Sequence, residues 1–285
     1  MKVGYLGPES SFTHTATKTA FPNAELIPFH SIPACIKGVE FHEVDLGVVP
    51  IENTLEGSVN TTVDYLFHQG KGQIPVGAEL VLPIFQQLMV NTNHQNNWHQ
   101  VTRILSHPQA LAQSQEFISR YFPNAVLEAT PSTAYAANFV AAHPELTIAA
   151  IAPKLSAEKY GLTIVKEDIQ DVAINRTRFW VLGSEKIDLE EIPVENRKLT
   201  LAVTMPNNMP GALHKALSVF SWREIGLSKI ESRPLKTTLG EYFFLIDIHL
   251  DKPQELIDFA LEELRLMGGE VKVFGNYAVH PIHGV

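Results

Sequence analysis

The sequence predicts an α/β protein in two parts, and three observations carry that expectation. Short apolar runs alternate with helical stretches from residue 2 to about 183, which is how strands and helices follow one another in an α/β sheet. A charged stretch at 184–193 then holds neither a strand nor a helix period over a useful length. Beyond it the order becomes strand, helix, strand, strand, helix, strand, a ferredoxin-like arrangement. The expected boundaries are a first part at 1–183, a linker at 184–197 and a second part at 198–280.

Four stretches of the first part share one design, a strand, a short polar turn and a helix. Val3-Gly4-Tyr5-Leu6 leads through Gly7-Pro8-Glu9-Ser10-Ser11 into a helix near 12–20. Leu46-Gly47-Val48-Val49 leads through Pro50-Ile51-Glu52-Asn53-Thr54 and Gly57-Ser58 into a helix near 59–68. Ile104-Leu105 leads through Ser106-His107-Pro108 into a helix near 109–121, and Ala125-Val126-Leu127 through Thr130-Pro131-Ser132 into one near 132–142. Each puts a side-chain acceptor where the first N–H groups of a helix lack partners and the dipole is positive. Capping explains any one of them; several together, at the carboxyl ends of strands in an open parallel sheet, point to a ligand cleft that attracts anions.

The stretch Asn175-Arg176-Thr177-Arg178-Phe179 opens an apolar run that ends at Gly183. Strand alternation puts Asn175, Thr177 and Phe179 on one face and Arg176 and Arg178 on the other. That face offers an amide, a hydroxyl and an aromatic wall to a small organic ligand; the alternative is a charged strand start solvated at a sheet edge.

In the second part, strands are expected at 199–203, 227–231, 242–246 and 271–274. One helix carries Leu213, Ala216, Leu217 and Phe220 on one face, and the other carries Leu256, Phe259, Ala260, Leu264 and Met267. Pro210 falls in a first turn, where its missing N–H costs nothing.

Composition narrows the function. A net charge of −9 over 285 residues, with no basic stripe, excludes nucleic acid as partner. No apolar run reaches a membrane span, and the chain starts directly with Lys2-Val3-Gly4-Tyr5, so neither a membrane nor a signal peptide is expected and the location expected is cytoplasmic. Cys35, between Ile32 and Ile36, is expected to be buried. No metal is expected: there is no HExxH among the 12 histidines, and His280 and His283 look like a loose tail. Gly4-Tyr5-Leu6-Gly7 lacks the spacing of a dinucleotide turn, so no cofactor is expected.

Gly7-Pro8 with Ser11-Phe12, then Pro50-Ile51-Glu52-Asn53, then His107-Pro108-Gln109-Ala110-Leu111, then Thr177-Arg178-Phe179 resemble, in that order, the motifs of prephenate dehydratase, an enzyme of phenylalanine biosynthesis. The resemblance covers about the first 185 residues. Ser10 stands where glycine is common, and Thr54 where serine is usual. The resemblance implies two lobes like a type II periplasmic binding protein with the cleft between them, and crossings near 76–78 and 172–174. It also implies conversion of prephenate to phenylpyruvate with Thr177 as hydrogen-bond donor to the departing hydroxyl. The substrate-binding set would be Ser11, Asn53, Thr54, Gly57, Ser58, Gln109, Ala110, Thr133, Asn175, Arg178 and Phe179, with Phe179 packed on the ring. Arg178 would either pair with a substrate carboxylate or support the site from behind, and Glu52 and Glu56 have open roles beside a dianion.

Gly211-Ala212-Leu213 and Glu231-Ser232-Arg233-Pro234 resemble motifs of the ACT regulatory domain of phenylalanine-responsive enzymes. That implies a homodimer or homotetramer in which L-phenylalanine binds between subunits at Asn208, Gly211, Ala212 and Leu213 of one and Glu231, Ser232, Arg233 and Pro234 of the other. A fragment of residues 1–187 would then be active and indifferent to phenylalanine. The rival functions are arogenate dehydration, which a pocket carboxylate such as Glu56 would favour, and a non-catalytic amino-acid sensor, against which a donor at Thr177 argues.

Overall fold

The computed structural model describes residues 1–283 apart from 69–73, 185, 186, 188, 190, 191, 207–210 and 238–240. It divides into two compact units, one of residues 1–69, 80–180 and 282–285, the other of 70–79 and 181–281.

The first unit opens with β1 (Lys2–Leu6), α1 (Phe12–Ala20), β2 (Glu25–Phe29), α2 (Ile32–Glu40), β3 (Leu46–Asn53), β4 (Gly57–Ser58), α3 (Asn60–His68) and, from Leu80 on, the second half of β5 (Val76–Pro83). A second lobe follows: β6 (Gln87–Asn91), β7 (Arg103–Ser106), α4 (Pro108–Ala112), α5 (Gln115–Tyr121), β8 (Val126–Ala129), α6 (Thr133–Ala142), β9 (Ile148–Ala152), α7 (Lys154–Tyr160) and β10 (Leu162–Lys166). β11 (Arg176–Leu182) returns to the first lobe.

The strand orders are β2-β1-β3-β11-β5 and β8-β7-β9-β6-β10. Both lobes therefore repeat one plan: second, first and third strands, then the strand that crosses from the other lobe, then the last. β1 runs parallel to β2 and β3, and β7 to β8 and β9, whereas β6 is antiparallel to β9 and β10. The second lobe's sheet is thus mixed, not parallel, because its crossing strand β6 enters from the opposite end.

The first crossing occupies residues 84–86, not 76–78. Those lie inside β5, where Val76 and Ala78 are fully buried. The return crossing is the segment 167–175.

The helix expected over 109–121 is two helices. Asp171 explains the break at Gln113 and Ser114: its N–H donates to the Gln113 carbonyl at 2.7 Å, and its carboxylate accepts from the Glu116 N–H at 3.1 and 3.2 Å. Groups that a continuous helix would use internally are taken up by the return crossing. Cys35 is fully buried, and burial pushes its thiol up to about 12.

The second unit contains β12 (Asn196–Thr204), α8 (Ala212–Ser221), β13 (Leu227–Pro234), β14 (Tyr242–His249), α9 (Gln254–Leu266) and β15 (Glu270–Pro281). Its order β13-β14-β12-β15, with antiparallel neighbours, is the ferredoxin-like sheet. Leu201, Val203, Phe220, Ile246, Ile257 and Leu264 lie in its core. On α9 the buried stripe is Ile257, Ala260, Leu261 and Leu264, and Phe259 is 62% exposed, so the expected face was turned by about one residue.

β12 begins at Asn196, so the last two residues of the expected linker belong to the sheet. β15 continues to Pro281, which removes the expected loose tail: His280 is buried, and its Nδ1 lies 3.1 Å from the Ile192 carbonyl oxygen. Residues 70–79 cluster with this unit rather than with 1–69. There Glu79, with no exposed surface, lies 3.0 Å from Lys198 Nζ and 3.4 Å from the Tyr277 hydroxyl.

Candidate active site

A cavity of about 400 Å³ in the first unit is walled by both of its lobes. The first lobe supplies the turn after β1 with Gly7, Pro8, Ser11 and Phe12, the end of β3 with Asn53, Glu56, Gly57 and Ser58, and Thr177 at the start of β11. Ile84 and Gln86 of the first crossing, His107, Gln109, Ala110 and Gln113 after β7, and Pro131, Ser132 and Thr133 after β8 also line it. All four polar turns and the β11 stretch thus meet in one place, at strand ends, as expected for ligand sites in such sheets.

Local chemistry places these groups. Ser11 caps α1 by accepting from the His14 N–H at 3.3 Å, and Ser132 caps α6 by accepting from the Tyr135 N–H at 3.0 Å. The positive ends of both helices therefore border the cavity. Ser10 is fully buried with φ 60°, the left-handed conformation that glycine adopts without strain, and its N–H donates to His14 Nδ1 at 2.8 Å. Burial, with Lys18 second, holds His14 below its ordinary pKa, so the ring is the neutral acceptor this bond needs.

The centre of the site is Asn53, which is 8% exposed. Its Oδ1 accepts from the N–H groups of Leu55 and Glu56 at 3.0 and 3.1 Å. Its Nδ2 donates to Thr177 Oγ1 and to Asn175 Oδ1, at 2.9 Å each. The Thr177 oxygen therefore receives a hydrogen bond, which leaves its own proton to donate into the cavity that it lines.

Of the predicted set, Ser11, Asn53, Gly57, Ser58, Gln109, Ala110, Thr133 and Thr177 line the cavity, and Thr54, Asn175, Arg178 and Phe179 do not. The Thr54 hydroxyl is bonded to the backbone of Arg176, donating to its carbonyl at 3.1 Å and accepting from its N–H at 3.2 Å. Asn175 is 1% exposed and bridges Asn53 to Gln113, donating to Gln113 Oε1 at 3.1 Å. Arg178 pairs with Glu52 at 2.5 Å. Phe179 is 1% exposed: β11 is an interior strand, and two residues beyond Thr177 the same face is already core.

Glu56, whose role the sequence left open, lines the cavity. Gln86, Gln113 and Ser132 were missed as lining residues. Gln113 follows Gln109 by four positions on one helical path, a signal available in the sequence, whereas Gln86 sits in a crossing with no periodic pattern. Among the described residues no three His, Cys, Asp or Glu side chains are grouped to hold a metal.

In the second unit, Gly211 precedes α8 with φ 84°, and Ala212 and Leu213 form the first turn, half-buried. Asn208 and Pro210 lie outside the described residues. Glu231, Ser232, Arg233 and Pro234 end β13, the outermost strand of this unit, where Arg233 lies 3.3 Å from Glu231.

Comparison with known proteins gives the same family from several directions. A profile of the prephenate dehydratase family matches residues 3–187. Prephenate dehydratase of Lactococcus lactis subsp. lactis (strain IL1403) is 46% identical over 283 residues, 99% of each chain. That of Bacillus subtilis (strain 168) is 47% identical over 282 residues, covering 97% of this chain and 98% of its own. The crystal structure of prephenate dehydratase from Arthrobacter aurescens in complex with L-Phe superposes with a TM-score of 0.84 at 30% identity, covering 98% of this chain and 90% of that one. With its motif segments gathered around one cavity and its likeness running the length of the chain, this protein belongs to the prephenate dehydratase family.

Proposed function

We propose that the cavity binds the prephenate dianion and converts it to phenylpyruvate, with Thr177 as donor to the departing hydroxyl. The ring carboxylate leaves as carbon dioxide, the opposite ring carbon loses its hydroxyl, and one proton taken up completes a water. Aromatisation drives the reaction, so the chain has to anchor two carboxylates, orient the ring and stabilise the leaving oxygen. The observation that carries this reading is the 2.9 Å bond from Asn53 Nδ2 to Thr177 Oγ1 at the cavity wall. A threonine hydroxyl is too weak an acid to protonate the leaving group alone; it bonds to the oxygen as charge develops, and the proton comes from solvent. Ser11 and Thr133, at the starts of α1 and α6, together with Gln109 and Ser58, hold the carboxylates. Purified chain should turn over prephenate with kcat/KM at least about 10-fold above that for arogenate; equal values would contradict the substrate assignment.

The second unit serves as an ACT regulatory domain in this reading. L-Phenylalanine binds between two copies, its ring near Leu213 and its charged groups at the residues before α8 and the end of β13, in a homodimer or homotetramer of a cytoplasmic enzyme. The outermost position of β13 supports pairing with a second copy. The L-Phe complex of the Arthrobacter relative supports the effector.

A further inference from the structure

We propose that a second cavity, between α1 of the first lobe and α7 of the second, binds a monocarboxylate with a compact apolar body, and that this ligand and the substrate favour one another. The cavity has a volume of about 360 Å³, close to that of the catalytic one and within the size range of small-molecule sites. Its walls are apolar: Phe12 from α1, Leu82 near the end of β5, Phe85 in the first crossing and Leu155 from α7. Leu82 is 1% exposed and the other three are half-buried, so an apolar guest is withdrawn from water on several sides.

The charge of the lining selects the head group. Lys18 and Lys154, from α1 and α7, are exposed at this cavity, and neither has a carboxylate partner among the described residues. One cation from each lobe suits an anion. Glu158, one turn after Lys154, offsets part of their charge, so a single carboxylate is favoured over a dianion such as prephenate. Coupling to the catalytic cavity follows from what the two share. Phe12 lines both. Just before α1, the Ser10 carbonyl accepts from Ser156 Oγ at 3.0 Å and Glu9 pairs with Lys159. These contacts hold α7 to the turn that supplies Gly7, Pro8 and Ser11 to the catalytic cavity. The same arrangement of the lobes thus forms both cavities, and a ligand that binds it in one raises its population for the other.

The test is calorimetry of the full chain with hexanoate, with hexanamide as the neutral control and hexanedioate as the dianion. Hexanoate should bind with a Kd near or below about 1 mM, and each control at least about 10-fold more weakly. Lys18→Gln combined with Lys154→Gln should weaken hexanoate about 10-fold and leave hexanamide unchanged. Leu155→Trp, which fills the cavity, should remove binding of hexanoate altogether; if it unfolds the chain, the lysine pair decides, since both of those residues are exposed. Absence of hexanoate binding, or an affinity untouched by the lysine pair, would overturn the site, and a dianion bound as tightly would overturn the monocarboxylate. These readings need no turnover, so they stand or fall apart from the dehydratase function. In kinetics with prephenate, saturating hexanoate should lower KM about 5-fold with kcat within about twofold; an unchanged or raised KM would overturn the mutual preference.

Discussion

His14 ties the turn that opens the cavity to pH. Its ring stacks on Tyr5 at 4.8 Å, and its Nδ1 accepts from the Ser10 N–H, a bond that a protonated ring cannot make. The folded pKa lies below the ordinary 6.5, chiefly through burial, so the unfolded chain takes up its proton first as pH falls. Stability from this residue is therefore complete above about 6.5 and declines below it, toward the folded value. His14→Asn keeps an acceptor near Nδ1 without the titration, and its melting temperature should fall less between pH 7 and 5.5 than that of the natural chain; equal falls would remove His14 from the acid response. At this scale the sequence was most legible where a residue's role is local. Alternation placed Thr177 apart from Arg178, and the cap pattern located Ser11. It was blind to partners far along the chain, such as Glu52, 126 residues from Arg178, and to Asn175, whose amide is taken up by Asn53 and Gln113 instead of substrate.

Among the elements, β15 depends on a close approach that only glycine permits. A Cβ on Gly275 would lie 2.1 Å from the Val76 carbonyl oxygen, so Gly275→Ala should destabilise the chain by about 2–3 kcal/mol. Gly161, which ends α7 with φ 66°, has open space around its missing Cβ, and Gly161→Ala should cost only about 1 kcal/mol, from backbone strain alone. Comparable denaturant midpoints for the two variants would refute the distinction. The helices α1, α3 and α6 were readable because each follows a strand with its polar turn. The join of β5 was not, since a strand buried along most of its length, Glu79 included, does not reveal where a chain leaves a lobe. The division of α4 from α5 was hidden for a different reason: the groups that break it come from Asp171.

For the whole molecule, an α/β part followed by a ferredoxin-like unit was visible in the order of periodicities, the division of the first part into two lobes was implied only by the family resemblance, and the boundaries were not legible. Residues 70–79 belong to the second unit, where Glu79 is bonded to Lys198 and Tyr277. The fragment 1–187 loses both partners and uncovers Val76 and Ala78, so it should melt at least about 10 °C below the full chain instead of standing as an independent catalyst; equal melting temperatures would restore the simpler division. Control by L-phenylalanine is better tested on the intact chain. A coupling of about 1–3 kcal/mol would shift prephenate affinity about 5- to 150-fold, and Leu213→Ala should weaken that shift with the uninhibited rate unchanged. Inhibition purely competitive with prephenate and unaffected by Leu213→Ala would place the effector in the catalytic cavity. The central claim, that the Asn53-bonded hydroxyl at the cavity wall assists departure of the substrate hydroxyl, is tested most directly by the rate of phenylpyruvate formation from prephenate with Thr177→Ala. The account predicts a kcat about 100- to 1,000-fold lower, with KM and melting temperature close to those of the natural chain, and a near-normal kcat would contradict it.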